Sequence, residues 1–408
     1  MAETSLLGYK MVGILELNRY EWLIDRELIR RIGYTNGLHD INRFARVVEY
    51  LYPKIPVSQA VFRRIIKENE VERDSTSKIS DEKYLQGIID VAGALSLVNK
   101  KGQKLFLSDR GYSLHALKQD TTQSDNYTEI FLLMSILDAD GEYILNILDI
   151  ISKDYIDNRD VGILLFDRMM KIFEIKLEWA KNDIDSTISR ITINNLEEAQ
   201  KKLKKALDPS SKNLMKSRSL KKKKQLSGEK RVETFRGHII MPRLKWLIDL
   251  NCMKKNNGKN EITESGRRLL NFFKKKGCLQ REVYILPVSP WLSKVLGVKK
   301  SENSPNIFWE SVATAFCGQV EKYQFKEEDL LDFIREIYPH VKLFGFDQVE
   351  ISSIYHALSC REAIKGNFIG GGEEEFNKKM EEITKIYPKD IFWLSKRRGQ
   401  GGYISLKK

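Results

Sequence analysis

The stretch Leu250–Leu270, LNCMKKNNGKNEITESGRRLL, decides how this chain is read, because it repeats the layout of Leu95–Leu114, LSLVNKKGQKLFLSDRGYSL, while sharing few residues with it. Each opens on a small apolar knot, passes through a turn of Lys, Asn and Gly, and resumes as a short strand. Each then closes on a hydroxyl, an acid, any residue and a glycine: Ser108-Asp109-Arg110-Gly111 and Thr263-Glu264-Ser265-Gly266. Two apolar stretches around a polar, glycine-bearing turn predict a β-hairpin. Leu95, Leu97, Leu105 and Leu107 alternate as strands covering a helix must. The hydroxyl predicts a helix N-cap, where a side-chain oxygen takes up an orphan backbone N–H.

Upstream of the first copy, INRFARVVEYLY, IPVSQAVFRRIIKENE (with Ser58 as its cap) and SDEKYLQGIIDVAGAL predict three helices. Three helices followed by a two-stranded wing make a winged helix-turn-helix. Upstream of the second copy, FRGHIIMPRLKWLIDLN predicts a helix with Pro242 in its first turn, which places both copies in the same slot. Between them lie strongly helical stretches, from TEIFLLMSILDADGEYILNILDIISKDYI to NNLEEAQKKLKKALD. Beyond them, REVYILPVSPWLSKVLG and NSPNIFWESVATAFCGQVEKYQF are expected to be partly buried connectors. EEDLLDFIREIY, FDQVEISSIYHALS and EEEFNKKMEEITKIY are expected to be helices, and IFWL and YISL to be strands around a basic tip. The expected fold is therefore mainly α with small β-hairpins: three tandem winged helix-turn-helix modules, the middle one enlarged by extra helices. Their expected limits are 1–122, 123–280 and 281–408.

Bulk properties fit a globular chain of several domains. At 408 residues and 42% apolar content, it can bury real cores. No apolar run approaches the roughly 18 residues of a membrane span, and Glu3 and Lys10 make a poor signal peptide, so a cytoplasmic protein with no membrane partner is expected. The cysteines Cys252, Cys278, Cys317 and Cys360 are too scattered for a zinc site or a disulfide pair.

Charge is distributed unevenly. Residues 201–231 carry 13 basic and 2 acidic side chains, and the tail 395–408 carries 5 basic and no acidic ones, so the rest of the chain falls at −3 within a net charge of +13. Basicity held in two places is expected where a polyanion is met locally, although a solvated lysine loop has the same composition.

Three winged modules in series, together with IFWESVATAF (Ile307–Phe316), FGFDQVE (Phe344–Glu350) and TEIFLLMSILDADGEYILNILDII (Thr128–Ile151), resemble the DNA-recognition half of type IIS restriction endonucleases of the FokI kind. The resemblance covers most of the chain and contains no catalytic string. It implies double-stranded DNA as partner. In that family a nuclease domain with acidic metal ligands and a catalytic lysine follows, whereas this chain stops at the third wing. The resemblance then implies a recognition subunit, a relative that lost cleavage, or part of a restriction or defence assembly whose nuclease is a separate subunit. A protein-interaction scaffold and a nuclease with an unrecognised site remain as alternatives.

Phosphates call for Lys and Arg, and base edges for planar donors. The candidate DNA-binding residues in the first module are Lys100, Lys101 and Lys104 on its wing, since its third helix carries Asp81, Glu82 and Asp90. In the second module they are Arg236, Arg243 and Lys245 on the expected recognition helix, and Lys254, Lys255, Asn256 and Lys259 on the wing. In the third module they are the wing residues Lys396, Arg397, Arg398 and Gln400, because its third helix is acidic at Glu373, Glu374, Glu375, Glu381 and Glu382. Lys221, Lys222, Lys223 and Lys224 are candidates for grip on the backbone. For catalysis only Asp167 with Glu174-Ile175-Lys176 offers an acid-and-lysine string, on a stretch of helical pattern. GNFIGGGEEE lacks the Gly-Lys-Ser/Thr ending of a phosphate-binding loop, and no cofactor motif is present.

Overall fold

A computed structural model describes residues 32, 38–52, 56–71, 82–120, 122–153, 157–182, 187–207, 236–286, 307–342, 347–395 and 402–407. The protein is mainly helical with small sheets. In chain order the helices are α1 (Asn42–Leu51), α2 (Gln59–Val71), α3 (Glu82–Ala94), α4 (Asp109–Lys118), α5 (Ser124–Lys153), α6 (Asn158–Lys181) and α7 (Thr187–Leu207). They continue as α8 (Met241–Asp249), α9 (Glu264–Lys275), α10 (Ile307–Cys317), α11 (Glu327–Val341), α12 (Ile351–Ile364) and α13 (Gly372–Ile386). The strands are β1 (Val57–Ser58), β2 (Val98–Lys101), β3 (Lys104–Leu107), β4 (Met253–Asn256), β5 (Lys259–Ile262), β6 (Leu279–Gln280) and β7 (Val283–Tyr284). The last five are β8 (Glu321–Lys322), β9 (Val349–Glu350), β10 (Asn367–Phe368), β11 (Ile391–Ser395) and β12 (Gly402–Leu406).

Two portions of the chain share one plan: helix, short strand, two helices, hairpin. In α1-β1-α2-α3-β2-β3 the first strand pairs with the last, so the sheet runs β1-β3-β2. In α11-β9-α12-β10-α13-β11-β12, where β10 pairs outside this sheet, the same pairing gives β9-β12-β11. The middle hairpin, β4-β5, stands as a two-stranded sheet after α8. All these pairings are antiparallel, while β8 and β10 pair in parallel.

The repeated sequence motif is also a repeated structure. Both α3 and α8 end on a residue with positive φ, Ser96 (+58°) and Asn251 (+53°). The next amide turns back onto the helix, Leu97 N donating to Ala92 O and Cys252 N to Leu247 O, which satisfies carbonyls left open at the helix end. After the hairpin, the Ser108 and Thr263 side chains each accept from the glycine N–H three residues on, at 3.0 and 3.2 Å. Each hydroxyl donates in turn to the carbonyl of that positive-φ residue, Ser96 or Asn251. Glycine is required because a Cβ at Gly111 would lie 2.3 Å from Leu97 O, and one at Gly266 would lie 2.2 Å from Cys252 O. The hydroxyl-acid-x-glycine signature thus clamps the start of the following helix onto the base of the hairpin.

At the centre lies α5, buried almost all round, as an apolar helix must be. It bends at Asp140 (φ −145°, ψ 17°), beside Gly141, where a Cβ would meet the Leu286 side chain at 2.5 Å. Polar residues on this helix hold its neighbours. Asp138 pairs with Arg110 of α4 at 2.9 Å, Glu142 with Lys176 of α6 at 2.7 Å, and Asp149 with Arg168 at 2.6 Å. The Asn146 amide donates to Tyr284 O (2.9 Å) and accepts from Tyr284 N (3.1 Å). Contacts also join the C-terminal portion to the rest: Phe131 meets Trp309 edge-on at 5.9 Å, and Ser113 Oγ donates to Ser353 O at 2.7 Å.

Two expectations need correction. Ile307–Cys317, read as part of a connector, is a helix, because Trp309, Val312, Ala313 and Ala315 give it a continuous buried face. The helix before the second hairpin begins with a π-turn, Arg236–Ile240, and not with regular α-helix.

Candidate nucleic-acid interface

The first hairpin buries Val98, Leu105 and Leu107 and leaves Lys100, Lys101 and Lys104 exposed. Its tip turns at Gly102 (φ +61°). It is tied to α2 by Gln59, whose backbone N–H donates to Gln103 O (2.9 Å) and whose side chain donates to Gln103 Oε1 (3.1 Å). Lys101 stands directly opposite Lys104 across the strands. Among the described residues no carboxylate forms an ion pair with any of these three lysines.

The second hairpin buries Met253, Asn260 and Ile262 and exposes Lys254, Lys255, Asn256 and Lys259. Asn257 (φ +50°) and Gly258 (φ +78°) both take the left-handed conformation that a two-residue Asn-Gly turn needs. Lys254 is paired with Glu261 across the strands at 3.3 Å, whereas Lys255 and Lys259 have no carboxylate partner among the described residues. Asn260 turns inward and donates to Asn158 Oδ1 at 2.8 Å, which anchors the strand to the start of α6.

The helix expected to present Arg243 and Lys245 does not serve as a recognition helix. Arg243 is fully buried against a fully buried Asp140, donating through Nε and, at 3.1 Å, through Nη2. Nη1 and Nη2 also donate to the backbone carbonyls of Ile239 and Ile32. The physical reason is crowding. Trp246 of the same helix packs edge-on against Phe44 of α1 at 5.7 Å and donates to Leu38 O, so α8 is sandwiched between the first portion of the chain and α5. Lys245 is exposed and pairs with Asp249 of its own helix at 2.6 Å. The Arg236 side chain lies outside the described residues, as do Lys221, Lys222, Lys223, Lys224, Lys396, Arg397, Arg398 and Gln400.

The outward side of α3 carries Glu82, Lys83 and Asp90. Gln86 there is engaged, accepting from Arg63 and donating to Asp90. On α13 the acids are partly compensated: Glu374 pairs with Lys378, Glu375 with Lys322, Glu381 with Lys385, and Glu382 with Lys379.

The acid-and-lysine string does not assemble a catalytic group. Asp167 and Glu174 are exposed on α6, whereas Lys176 points the other way into the core and is consumed by Glu142. Glu174 lines a shallow cleft with Lys171, Ile175, Arg281 and Glu282, where Lys171 already pairs with Glu282 at 3.0 Å and Arg281 with Glu178 at 2.7 Å. Among the described residues no three His, Cys, Asp or Glu side chains stand together as metal ligands. None of the described helices is long and apolar enough to cross a membrane.

Sequence reasoning missed the buried ion pairs of α5. The signal was present in LDADGEYILNILD, where five acid or amide side chains interrupt a core-forming apolar run. Such groups are retained in a core only when partners satisfy them. It also missed the junction of α4 and α12, where His356 Nδ1 lies 3.8 Å from Asp109 Oδ2. Burial depresses the imidazole of His356 to about 4, against the opposing pull of Asp109. Burial alone would raise the Asp109 carboxyl, but His356, the Arg110 backbone N–H and the Arg110 guanidinium outweigh it and hold the group below its usual range.

Comparisons with protein-family models, with curated proteins and with solved structures found no match to this chain.

Proposed function

We propose that the chain binds double-stranded DNA through the wings of winged helix-turn-helix modules, as the recognition component of a restriction or defence system. One observation carries this reading: two hairpins built on the same clamp present Lys100, Lys101 and Lys104, and Lys255 and Lys259, to solvent with no carboxylate partner among the described residues. The shared strand order of the first and last sheets supports the winged-helix assignment. Exposed, uncompensated ammonium groups at the ends of well-anchored hairpins suit phosphates, which bind by releasing counterions.

The test is fluorescence anisotropy of the full chain against a random-sequence duplex pool across a salt series. Each phosphate contact contributes about −0.9 to the slope of log affinity against log salt. Affinity indifferent to salt, or no binding in dilute buffer, refutes the reading.

A protein-interaction scaffold is the second reading, favoured by the acids on the outward side of α3. Under DNA binding, Lys101→Glu with Lys104→Glu weakens association with duplex. Under the scaffold reading duplex binding is absent from the start and the same variant assembles with its protein partner as before.

A further inference from the structure

We infer that the two hairpins divide the work on a duplex, the first gripping phosphates and the second reading base edges. This rests on the DNA reading above and extends it.

The outward faces of the hairpins differ in chemistry. On the first, in-register pairing sets Lys101 against Lys104 and Asn99 against Phe106. Side chains directly opposite each other lie about 4.5–5.5 Å apart at Cβ, where like charges repel. An anion between the two ammonium groups relieves that repulsion. The carboxamide oxygen of Gln103 at the tip is taken by the Gln59 side chain, and Gly102 faces open space. The charge at this end is a pair of opposed ammonium groups, point charges that match phosphate oxygens without selecting a base edge.

On the second hairpin Glu261 compensates Lys254, so the outward face carries less free charge. Its end carries Asn256 and Asn257, each with a carboxamide that offers a donor and an acceptor side by side. That pattern matches the N6 and N7 groups of adenine in the major groove. The turn is set by two left-handed residues and stands in open space at Gly258, so the amides sit on a defined, accessible end. Lys259, across from Asn256, supplies an adjacent charge for the flanking phosphate. The helices leave this task to the hairpins, because α8 is packed in the core and α3 turns acids outward.

The experiment begins with selection of bound duplexes from a random pool by the full wild-type chain, followed by anisotropy on the enriched duplex and on the pool. Replacing Lys101 and Lys104 with Gln should make the log–log salt slope shallower by about 2, while leaving the preference for the enriched duplex unchanged. Asn256→Ala should leave the slope unchanged and lower that preference about tenfold. All three positions are exposed, and melting of each variant at the wild-type temperature establishes that it is folded. A wild-type slope in the lysine variant overturns the assignment of the first hairpin. An undiminished preference in Asn256→Ala, or a selection that enriches no sequence, overturns that of the second. A wild-type chain that ignores duplexes altogether overturns the DNA reading itself, a separate result.

Discussion

Arg243 offers the sharpest test of how the molecule is held together. Both it and Asp140 are fully buried, and the guanidinium donates to the carboxylate and to the carbonyls of Ile239 and Ile32. It also faces the Tyr143 ring at 4.8 Å from the centroid. Arg243→Met keeps much of the volume and removes the charge, leaving in the core a carboxylate that has lost its cation while still accepting from the Ile32 N–H (2.7 Å). Breaking a buried pair from one side costs about 3–5 kcal/mol, because the surviving charge has lost its partner. Replacing both partners, Asp140→Leu with Arg243→Met, removes that charge. The double variant should then regain most of the loss, less about 1–3 kcal/mol for the Ile32 N–H left without its acceptor. Urea unfolding followed by tryptophan fluorescence reads both, since Trp246 lies beside the pair, with the Arg243 guanidinium 6.0 Å from its ring centroid. Arg243→Met within about 1 kcal/mol of wild type would falsify the buried pairing, a loss of that size being normal for a surface site. Weaker duplex binding at unchanged stability would return Arg243 to the surface, where its sequence context had placed it.

Gly266→Ala and Gly111→Ala should each cost about 1–3 kcal/mol in thermal or urea unfolding, since a methyl group must displace a backbone carbonyl. Gly102→Ala, with open space around it, should cost about 1–2 kcal/mol through its positive φ alone; wild-type stability of Gly111→Ala and Gly266→Ala would refute the clamp. His356 is held neutral when folded, to about 4, and protonates near its ordinary value when unfolded. The unfolded state therefore binds the extra proton between about pH 6.5 and 4, and stability, full above that window, should fall with decreasing pH by up to about 1.4 kcal/mol per unit. His356→Gln should flatten the profile in that window, and an unchanged slope would assign it to other groups. Arg110→Gln breaks a part-exposed pair to Asp138, at a cost of about 1 kcal/mol or less. Anisotropy should show weaker duplex binding with an unaltered salt slope, since no phosphate contact is touched; unchanged affinity would mean that α4 and α5 need not be held together for binding.

The local elements were legible because each rests on short-range chemistry. Apolar periodicity placed α1, α2 and α3, and a hydroxyl three residues before a glycine placed the caps of α4 and α9. Gly102 and the Asn257-Gly258 pair marked two turns that only left-handed residues can make. Tertiary placement was not legible in the same way. MPRLKWLID looks like an amphipathic helix with a cationic face, and only Phe44, Ile32 and Asp140, each distant in sequence, reveal that this face is inside. The packing of the helix Ile307–Cys317 is hidden for the related reason that its partner Phe131 lies far upstream. Of the proposed interface, the hairpin lysines stand exposed, whereas the distinction between Lys254, held by Glu261, and Lys255, which is not, depends on strand register.

That contrast explains why the basic residues sort as they do. Four cations, Arg110, Arg168, Lys176 and Arg243, are drawn inward by acids of α5, whereas Lys100, Lys101, Lys104, Lys255 and Lys259 are left on hairpins where they face solvent. The inward set costs desolvation and returns geometry, because a buried pair tolerates only one arrangement of its donors. It acts at the hairpin bases: Arg110 lies in the helix after the first hairpin and Arg243 in the helix before the second, and they bind Asp138 and Asp140, two residues apart on α5. Under the proposed DNA reading, hairpins fixed this way meet the duplex without first ordering themselves, and contacts made by pre-ordered groups retain more of their free energy as affinity. The outward lysines would therefore act at a spacing that the inward cations set.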